Sequence, residues 1–117
     1  MSERLAKVTE NVKETVSLLI ERKIKDPRVE FVTITGVDIS ADLRHCKVFF
    51  STLGGKKEHD RALEGLESAT GYVRSELGKR LRMKYTPKVR FYFDESVEQG
   101  ERIDKIINRL KTEEKEE

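Results

Sequence analysis

The residues whose types and spacing could do chemistry are the basic side chains between residues 74 and 90. Seven Lys and Arg residues there accompany a single acidic residue, Glu76. Over the whole chain, 24 Lys and Arg nearly balance 22 Asp and Glu, so the net charge of +2 conceals this cluster. Clustered cations neutralise the phosphates of a polyanion and release its counterions. The segment is therefore a candidate nucleic-acid surface. Six of the seven cations are its candidate contacts: Arg74, Lys79, Arg80, Arg82, Lys84 and Lys88.

Small residues accompany these cations at helical spacing. At 100° per residue, Gly71, Ser75 and Gly78 fall opposite the apolar side chains of Val73 and Leu77. Small side chains would let a nucleic-acid backbone approach the helix closely. The same pattern is also typical of a solvated helix face or of helix packing, so the residues alone leave both interpretations open.

The helical segment that carries these residues, from about 58 to 84, has an expected weak point. Gly71 separates two sets of apolar residues, and a glycine inside a helix costs about 1 kcal/mol relative to alanine. We therefore predict a kink at Ala69, Thr70 and Gly71 that divides the segment into a pair of helices. Thr86-Pro87 is expected to stop the second helix.

Other patterns predict the remaining elements. Apolar residues recur every three to four positions from 5 to 24, which indicates an amphipathic helix that ends before Pro27. β-branched and aromatic residues between 29 and 51 predict an antiparallel hairpin. In its first strand Phe31, Thr33, Thr35 and Val37 are expected on one face. In its second strand we expect Cys46, Val48 and Phe50 to alternate with residues on the other face. A third strand is predicted over 89–93, and Ser96 is the predicted N-cap of a last helix.

The predicted order is thus α-β-β-α-α-β with an additional C-terminal helix. We expect one α+β domain over residues 1–110 and a charged, disordered tail over residues 111–117. Without a large exposed apolar stripe, the default expectation is a monomer.

Several functions are not supported by the sequence. Cys46 is the one cysteine, which excludes a disulfide framework or a cysteine-rich zinc site. Gly54-Gly55-Lys56-Lys57 lacks the further glycine and the Ser or Thr of a Walker A motif. No nucleophile or acid/base pair appears, so we predict no enzyme, cofactor or metal. Apolar runs reach three residues and no signal-peptide pattern opens the chain, so we expect no membrane association and a cytoplasmic location.

The motifs together resemble one family. The stretch from Ser68 to Arg82, with Ala69-Thr70-Gly71 inside it, is similar to ribosome-binding factor A of bacteria. Tyr85-Thr86-Pro87 and the Asp94-Glu95-Ser96 segment also match, and the likeness covers roughly residues 3–111. The resemblance implies a type II KH-like fold in which an Ala-x-Gly kink replaces the usual GxxG loop. No GxxG occurs in this chain.

The resemblance also implies a function. Members of this family are assembly factors, not enzymes, that bind free small (30S) ribosomal subunits during late maturation of precursor 16S rRNA near its 5′ end. They are linked to cold adaptation and work alongside ribosome-assembly GTPases. The alternative is a protein adaptor that engages another assembly factor, with incidental RNA contact. An acylphosphatase-like hydrolase is disfavoured because it needs a strand first and an anion loop with a catalytic Arg and Asn, whereas this chain begins with a helix and has only Asn11 and Asn108.

Overall fold

The structure is a computed structural model that describes residues 3–96 of the chain. The first helix, α1, spans Glu3–Leu18 and continues into a π-helical turn over Leu19–Lys23. The apolar stripe of this helical segment packs into the core, as predicted. Its buried residues are Val12, Val16, Leu19 and Ile20. A short 3-10 turn, Pro27–Val29, follows.

Asp26 fixes the start of that 3-10 turn. Its carboxylate accepts a hydrogen bond from the Arg28 backbone N–H at 2.9 Å and another from the Arg28 guanidinium at 2.8 Å. These contacts with Arg28 lower the pKa of Asp26. The turn sets Val29 into the core, where it is buried.

Three strands form one mixed sheet. Strands β1 (Thr33–Ile39) and β2 (His45–Ser51) pair antiparallel, which confirms the predicted hairpin. Strand β3 (Lys88–Phe93) pairs parallel with β2, so the order across the sheet is β1-β2-β3. A parallel pair needs a crossover connection, and the second helix, α2 (Lys56–Arg80), supplies it.

One face of the sheet packs against the helices. The buried side chains of β2 are Cys46, Val48 and Phe50, which confirms the predicted alternation in this strand. Burial raises the pKa of the Cys46 thiol to about 11, as for an unreactive core residue.

The predicted faces of β1 are wrong in one respect. A bulge between Ile34 and Gly36 shifts the register, so Ile34 and Val37 lie opposite the buried residues Phe50 and Val48 on the same face. An extra residue in one strand reverses the alternation beyond it. Phe31 lies outside the strand and is 60% exposed.

Helix α2 is a single helix of 25 residues, so the prediction of two helices divided at Ala69, Thr70 and Gly71 is wrong. Leu66 and Val73 are both fully buried on either side of this point. Burying each such side chain contributes about 1.5–3 kcal/mol, which exceeds the cost of about 1 kcal/mol for one helical glycine. Packing on both sides therefore keeps the helix continuous through Gly71.

The described residues end where the last helix was predicted to start. Residues 95 and 96 are helical, and the Asp94 carboxylate accepts a hydrogen bond from the Ser96 backbone N–H at 3.0 Å. The helix therefore starts one residue before the predicted N-cap, Ser96. The rest of the predicted C-terminal helix and the 111–117 tail lie outside the described residues. Within residues 3–96, no helix has both the length and the apolarity to cross a membrane.

Candidate nucleic-acid interface

The candidate surface begins where α2 ends. The helix stops at Arg80, four residues before the predicted end, and Arg82 adopts a left-handed conformation with φ of 50°. The Met83 N–H then donates to the Gly78 carbonyl at 3.2 Å, which closes a Schellman-type cap. Glycine usually occupies this left-handed position, and another residue there costs about 1–2 kcal/mol. The fold thus places an exposed arginine where the backbone would favour glycine.

The connection from α2 to β3 is held against the helix. The Arg74 Nε donates to the Pro87 carbonyl at 2.9 Å, and the Lys88 N–H donates to the Arg44 carbonyl at 2.8 Å. A Cβ on Gly78 would lie 3.1 Å from Thr86 Oγ1. The small size of Gly78 therefore serves packing within the chain, and Arg74 has a structural role in addition to its charge.

The structure brings the predicted cations to one end of the molecule, namely the last turns of α2, the connection and the first residue of β3. Lys79, Arg82 and Lys84 are exposed and form no ion pair with any described residue. Arg80 pairs with Glu76 at 3.0 Å across one helical turn, so its charge is partly neutralised. Exposed ion pairs of this kind contribute only about 0.3–0.5 kcal/mol to the stability of the fold.

The residues predicted to form the kink or to allow close approach differ in exposure. Gly71 and Ser75 are exposed, and a Cβ on Gly71 would meet no atom within 4 Å. Ala69 and Thr70 are half-buried, and Thr70 Oγ1 donates to the Leu66 carbonyl at 3.1 Å. Open space therefore remains beside Gly71, in contrast to Gly78.

The sequence analysis missed Arg44, which meets Tyr85 in this region. The Arg44 guanidinium lies 4.9 Å from the centre of the Tyr85 ring, and Lys84 Nζ lies 5.5 Å from it. Tyr85 is 52% exposed. Arg44 comes from the β1–β2 hairpin, outside the basic segment, and only the parallel pairing of β2 with β3 brings it here. We call the following set the α2–β3 surface: Arg44, Arg74, Lys79, Arg80, Arg82, Lys84, Tyr85 and Lys88.

The chemistry available at the α2–β3 surface is anion binding. Its charged members are all basic. Among the described residues, the Glu76 carboxylate pairs with Arg80, and the Asp42 carboxylate accepts a hydrogen bond from the Arg44 backbone N–H at 3.0 Å. Within residues 3–96, no three His, Cys, Asp or Glu side chains come together as a metal site. Arginine can bind a phosphate through two N–H groups, whereas lysine acts as a compact point charge.

The fold and the site define a class: a small α+β domain with a mixed three-stranded sheet and a basic surface at the end of its long helix. The family model of ribosome-binding factor A matches residues 4–107. This chain therefore belongs to the ribosome-binding factor A family, which confirms the resemblance found in its motifs.

Individual relatives agree with this assignment. Ribosome-binding factor A of Natranaerobius thermophilus is 50% identical over 107 residues, which cover 92% of this chain and 82% of the relative. A solution NMR structure of a Thermotoga maritima protein, assigned as a ribosome binding factor A, is 31% identical. It covers 74% of this chain and 83% of its own, with a TM-score of 0.67.

A third comparison concerns a protein placed in a complex. It is a homology model of the Thermus thermophilus ribosome binding factor A fitted into a cryo-EM map of a 30S complex. The match has a TM-score of 0.61 at 24% identity and covers 74% of this chain and 91% of that one. At this identity the likeness shows a shared fold.

Proposed function

We propose that this protein is a ribosome assembly factor that binds the small (30S) ribosomal subunit through its α2–β3 surface. The observation that carries the proposal is the set of exposed, unpaired cations at one end of the molecule, above all Lys79, Arg82 and Lys84. Membership of the ribosome-binding factor A family supports the partner, as does the Thermus thermophilus relative fitted into a 30S complex.

The RNA contact would be made mainly to phosphates. Lysine and arginine contacts to phosphate position a protein on RNA without reading its sequence. Exposed Gly71 and Ser75 would let the RNA backbone come close to α2, and Arg74 would add charge while it holds the connection to β3. Tyr85, already flanked by Arg44 and Lys84, is 52% exposed and offers its ring for contact with a base.

The finer role follows from the family. We propose that the protein acts on free subunits in the cytoplasm, as a monomer without catalytic activity, and supports late processing of precursor 16S rRNA near its 5′ end. Ribosome-assembly GTPases would act beside it. We further propose that the fold is a variant of the type II KH domain in which the single helix α2 takes the place of the usual helix pair, with α1, β1, β2 and β3 in the KH order.

The test compares the two ends of α2. Lys79→Ala combined with Arg82→Ala removes two cations of the α2–β3 surface. Lys56→Ala combined with Lys57→Ala removes two exposed cations near the opposite end, about 33 Å away at 1.5 Å per residue. Binding to purified 30S subunits is measured as a function of salt concentration, and thermal melts confirm that both variants fold.

We expect the Lys79/Arg82 variant to bind at least tenfold more weakly and to lower the salt slope by about 0.7–0.9 for each lost contact. The Lys56/Lys57 variant should bind almost as the parent protein does. Cells whose sole copy carries the first pair should accumulate small subunits with unprocessed 16S rRNA 5′ ends. Equal affinity and equal salt slope for the two variants would contradict the proposal. If another assembly factor stays bound to this protein after nuclease has removed the RNA, the protein-adaptor alternative would be favoured.

A further inference from the structure

The face of the sheet that points away from the helices carries a second group of cations and aromatic rings. Helices pack against the face that holds Val48 and Phe91, and the alternate positions of β2 and β3 project to the other side. We call these positions the open sheet face: His45, Lys47, Phe49, Lys88, Arg90 and Tyr92. Within residues 3–96 all of them are exposed except Phe49, which is half-buried.

The strand register arranges these side chains in rows. His45 lies opposite Lys88, Lys47 opposite Arg90, and Phe49 opposite Tyr92. The rings of Phe49 and Tyr92 have centroids 5.9 Å apart with an angle of 34° between their planes. Lys47 Nζ lies 5.9 Å from the centre of the Tyr92 ring, which is 37% exposed. The result is an aromatic pair with the Lys47 ammonium group beside it.

The row that contains Phe49 and Tyr92 has no side chain at its position on β1. Gly36 lies opposite Phe49, and a Cβ on Gly36 would meet no atom within 4 Å. No close contact within the described chain therefore requires a glycine here. Gly36 therefore adds no side chain beside Phe49, and the neighbouring Thr35 hydroxyl donates to the Asp94 carboxylate at 2.6 Å.

The charge of the open sheet face favours a polyanion over a protein partner. Lys47, Lys88 and Arg90 project from it. Among the described residues, the carboxylates on this side are those of Asp38 and Asp94. Asp38 lies opposite Lys47, and Asp94 accepts a hydrogen bond from the Thr35 hydroxyl at 2.6 Å. Neither Lys47 nor Arg90 forms an ion pair with a described residue. Lysine is depleted in protein–protein interfaces, where burying its charge is costly, whereas phosphates compensate it directly.

We propose that the open sheet face is a second RNA contact, at which unstacked nucleobases of single-stranded rRNA lie on Phe49 and Tyr92. Lys47 and Arg90 would contact the flanking phosphates. Every base has a π-face, so stacking of this kind tolerates different sequences. Lys88 belongs to both surfaces, so one RNA could run from the α2–β3 surface onto the sheet. The inference rests on the proposed function for its ligand class but concerns different residues.

The experiment uses the full chain and a 12-nucleotide single-stranded RNA of mixed sequence, with a fully paired RNA hairpin as a second probe. Tyr92→Ser removes an exposed ring, Tyr92→Phe keeps it, and Phe31→Ser removes an exposed ring outside the open sheet face. Fluorescence anisotropy measures affinity, and thermal melts check folding.

We expect Tyr92→Ser to weaken binding of the single strand on the order of tenfold and to leave hairpin binding within twofold. Tyr92→Phe and Phe31→Ser should stay within twofold on both probes. Combining Lys47→Ala with Arg90→Ala should lower the salt slope for the single strand by about 0.7 per lost contact.

Unchanged single-strand affinity of Tyr92→Ser would overturn the inference. So would weaker binding to 30S subunits with no effect on the single strand, because that result assigns the open sheet face to a protein partner. These outcomes are distinct from failure of the proposed function, which the Lys79/Arg82 variant measures on 30S subunits.

Discussion

The two halves of α2 use glycine in different ways. In the first half, a Cβ on Gly65 would lie 2.8 Å from Val29 Cγ1 and 3.0 Å from Arg28 Cβ, so the helix can pack against the 3-10 turn only without a side chain there. In the second half, a Cβ on Gly71 would meet nothing within 4 Å. The contacts of the fold explain Gly65, but they do not explain Gly71. An external partner that approaches α2 closely would explain the second glycine.

The ends of α2 differ in a parallel way. Just before the helix, the positive φ of 102° falls on Gly54, where glycine is the favoured residue. Just after the helix, the positive φ of 50° falls on Arg82. Local backbone energetics thus account for the N-terminal end of α2. At the C-terminal end a cation occupies a position that costs stability, as is common where a residue serves binding.

The largest expected effect is at Gly65. Gly65→Ala should lower the free energy of unfolding by about 1–3 kcal/mol, because its Cβ would overpack Val29 and the stem of Arg28. Chemical denaturation of the purified variant measures this loss. If the variant were as stable as the parent protein, Gly65 would not be required by close packing, and it would not differ from Gly71 in this respect.

Gly71 should respond in the opposite direction. Gly71→Ala should raise the free energy of unfolding by up to about 1 kcal/mol, since an exposed helical position gains from alanine and no atom is displaced. Gly71→Leu should remain folded yet bind 30S subunits roughly tenfold more weakly, about 1.4 kcal/mol, because its side chain would block close approach. Equal 30S affinity of the Ala and Leu variants would show that close approach at this position is irrelevant.

Replacing Arg82 should change the stability of the protein and its 30S affinity in opposite directions. Arg82→Gly should stabilise the protein by up to about 1 kcal/mol, because the left-handed penalty of roughly 1–2 kcal/mol exceeds the extra backbone entropy that glycine loses, roughly 0.5–1 kcal/mol. The same variant should bind 30S subunits more weakly, with a salt slope lower by about 0.7–0.9. Denaturation and binding assays on one preparation measure both quantities. Loss of stability together with unchanged binding would reverse the role assigned to Arg82.

The smallest effect concerns the N-terminal end of α2. Hydrogen bonds from the backbone N–H groups of Glu58 itself and of Gly55 hold the pKa of the Glu58 carboxyl below its ordinary range, with the Gly55 bond at 2.8 Å. The stabilisation is therefore present above the unfolded-state pKa and is lost as the pH falls through the lower, folded-state pKa. Glu58→Gln should flatten the acid side of the stability–pH curve. If the variant's stability–pH curve matched that of the parent protein at acid pH, the stabilising role of the Glu58 carboxylate would be contradicted.

Much of the fold was predictable because it depends on local patterns. The stripe through Val12 and Val16 and the alternation of Cys46, Val48 and Phe50 read directly as one helix and one half-buried strand. The division of α2 was predicted wrongly because helix propensity counts the cost of Gly71 but not the burial of Leu66 and Val73 around it. The bulge after Ile34 has no comparable local signal.

The candidate site was predictable in composition but not in geometry. The density of charge between 74 and 90 identified the cations that the structure leaves exposed. The bond from Arg74 to the Pro87 carbonyl and the contact of Gly78 with Thr86 depend on how the connection folds back. Arg44 reaches Tyr85 only through the parallel pairing of β2 with β3, which joins residues about forty positions apart in sequence.

The central claim is that the second half of α2 faces 16S rRNA and the first half does not. Site-specific crosslinking tests it most directly, with a photoreactive amino acid in place of exposed Ser75 and, as a matched control, in place of exposed Asp60 on the same helix. Each protein is bound to purified 30S subunits, irradiated, and its crosslinks are mapped on the rRNA. We predict strong crosslinks to 16S rRNA from position 75 and few from position 60. Crosslinks from position 75 to ribosomal proteins alone, or equal rRNA crosslinks from both positions, would contradict the account.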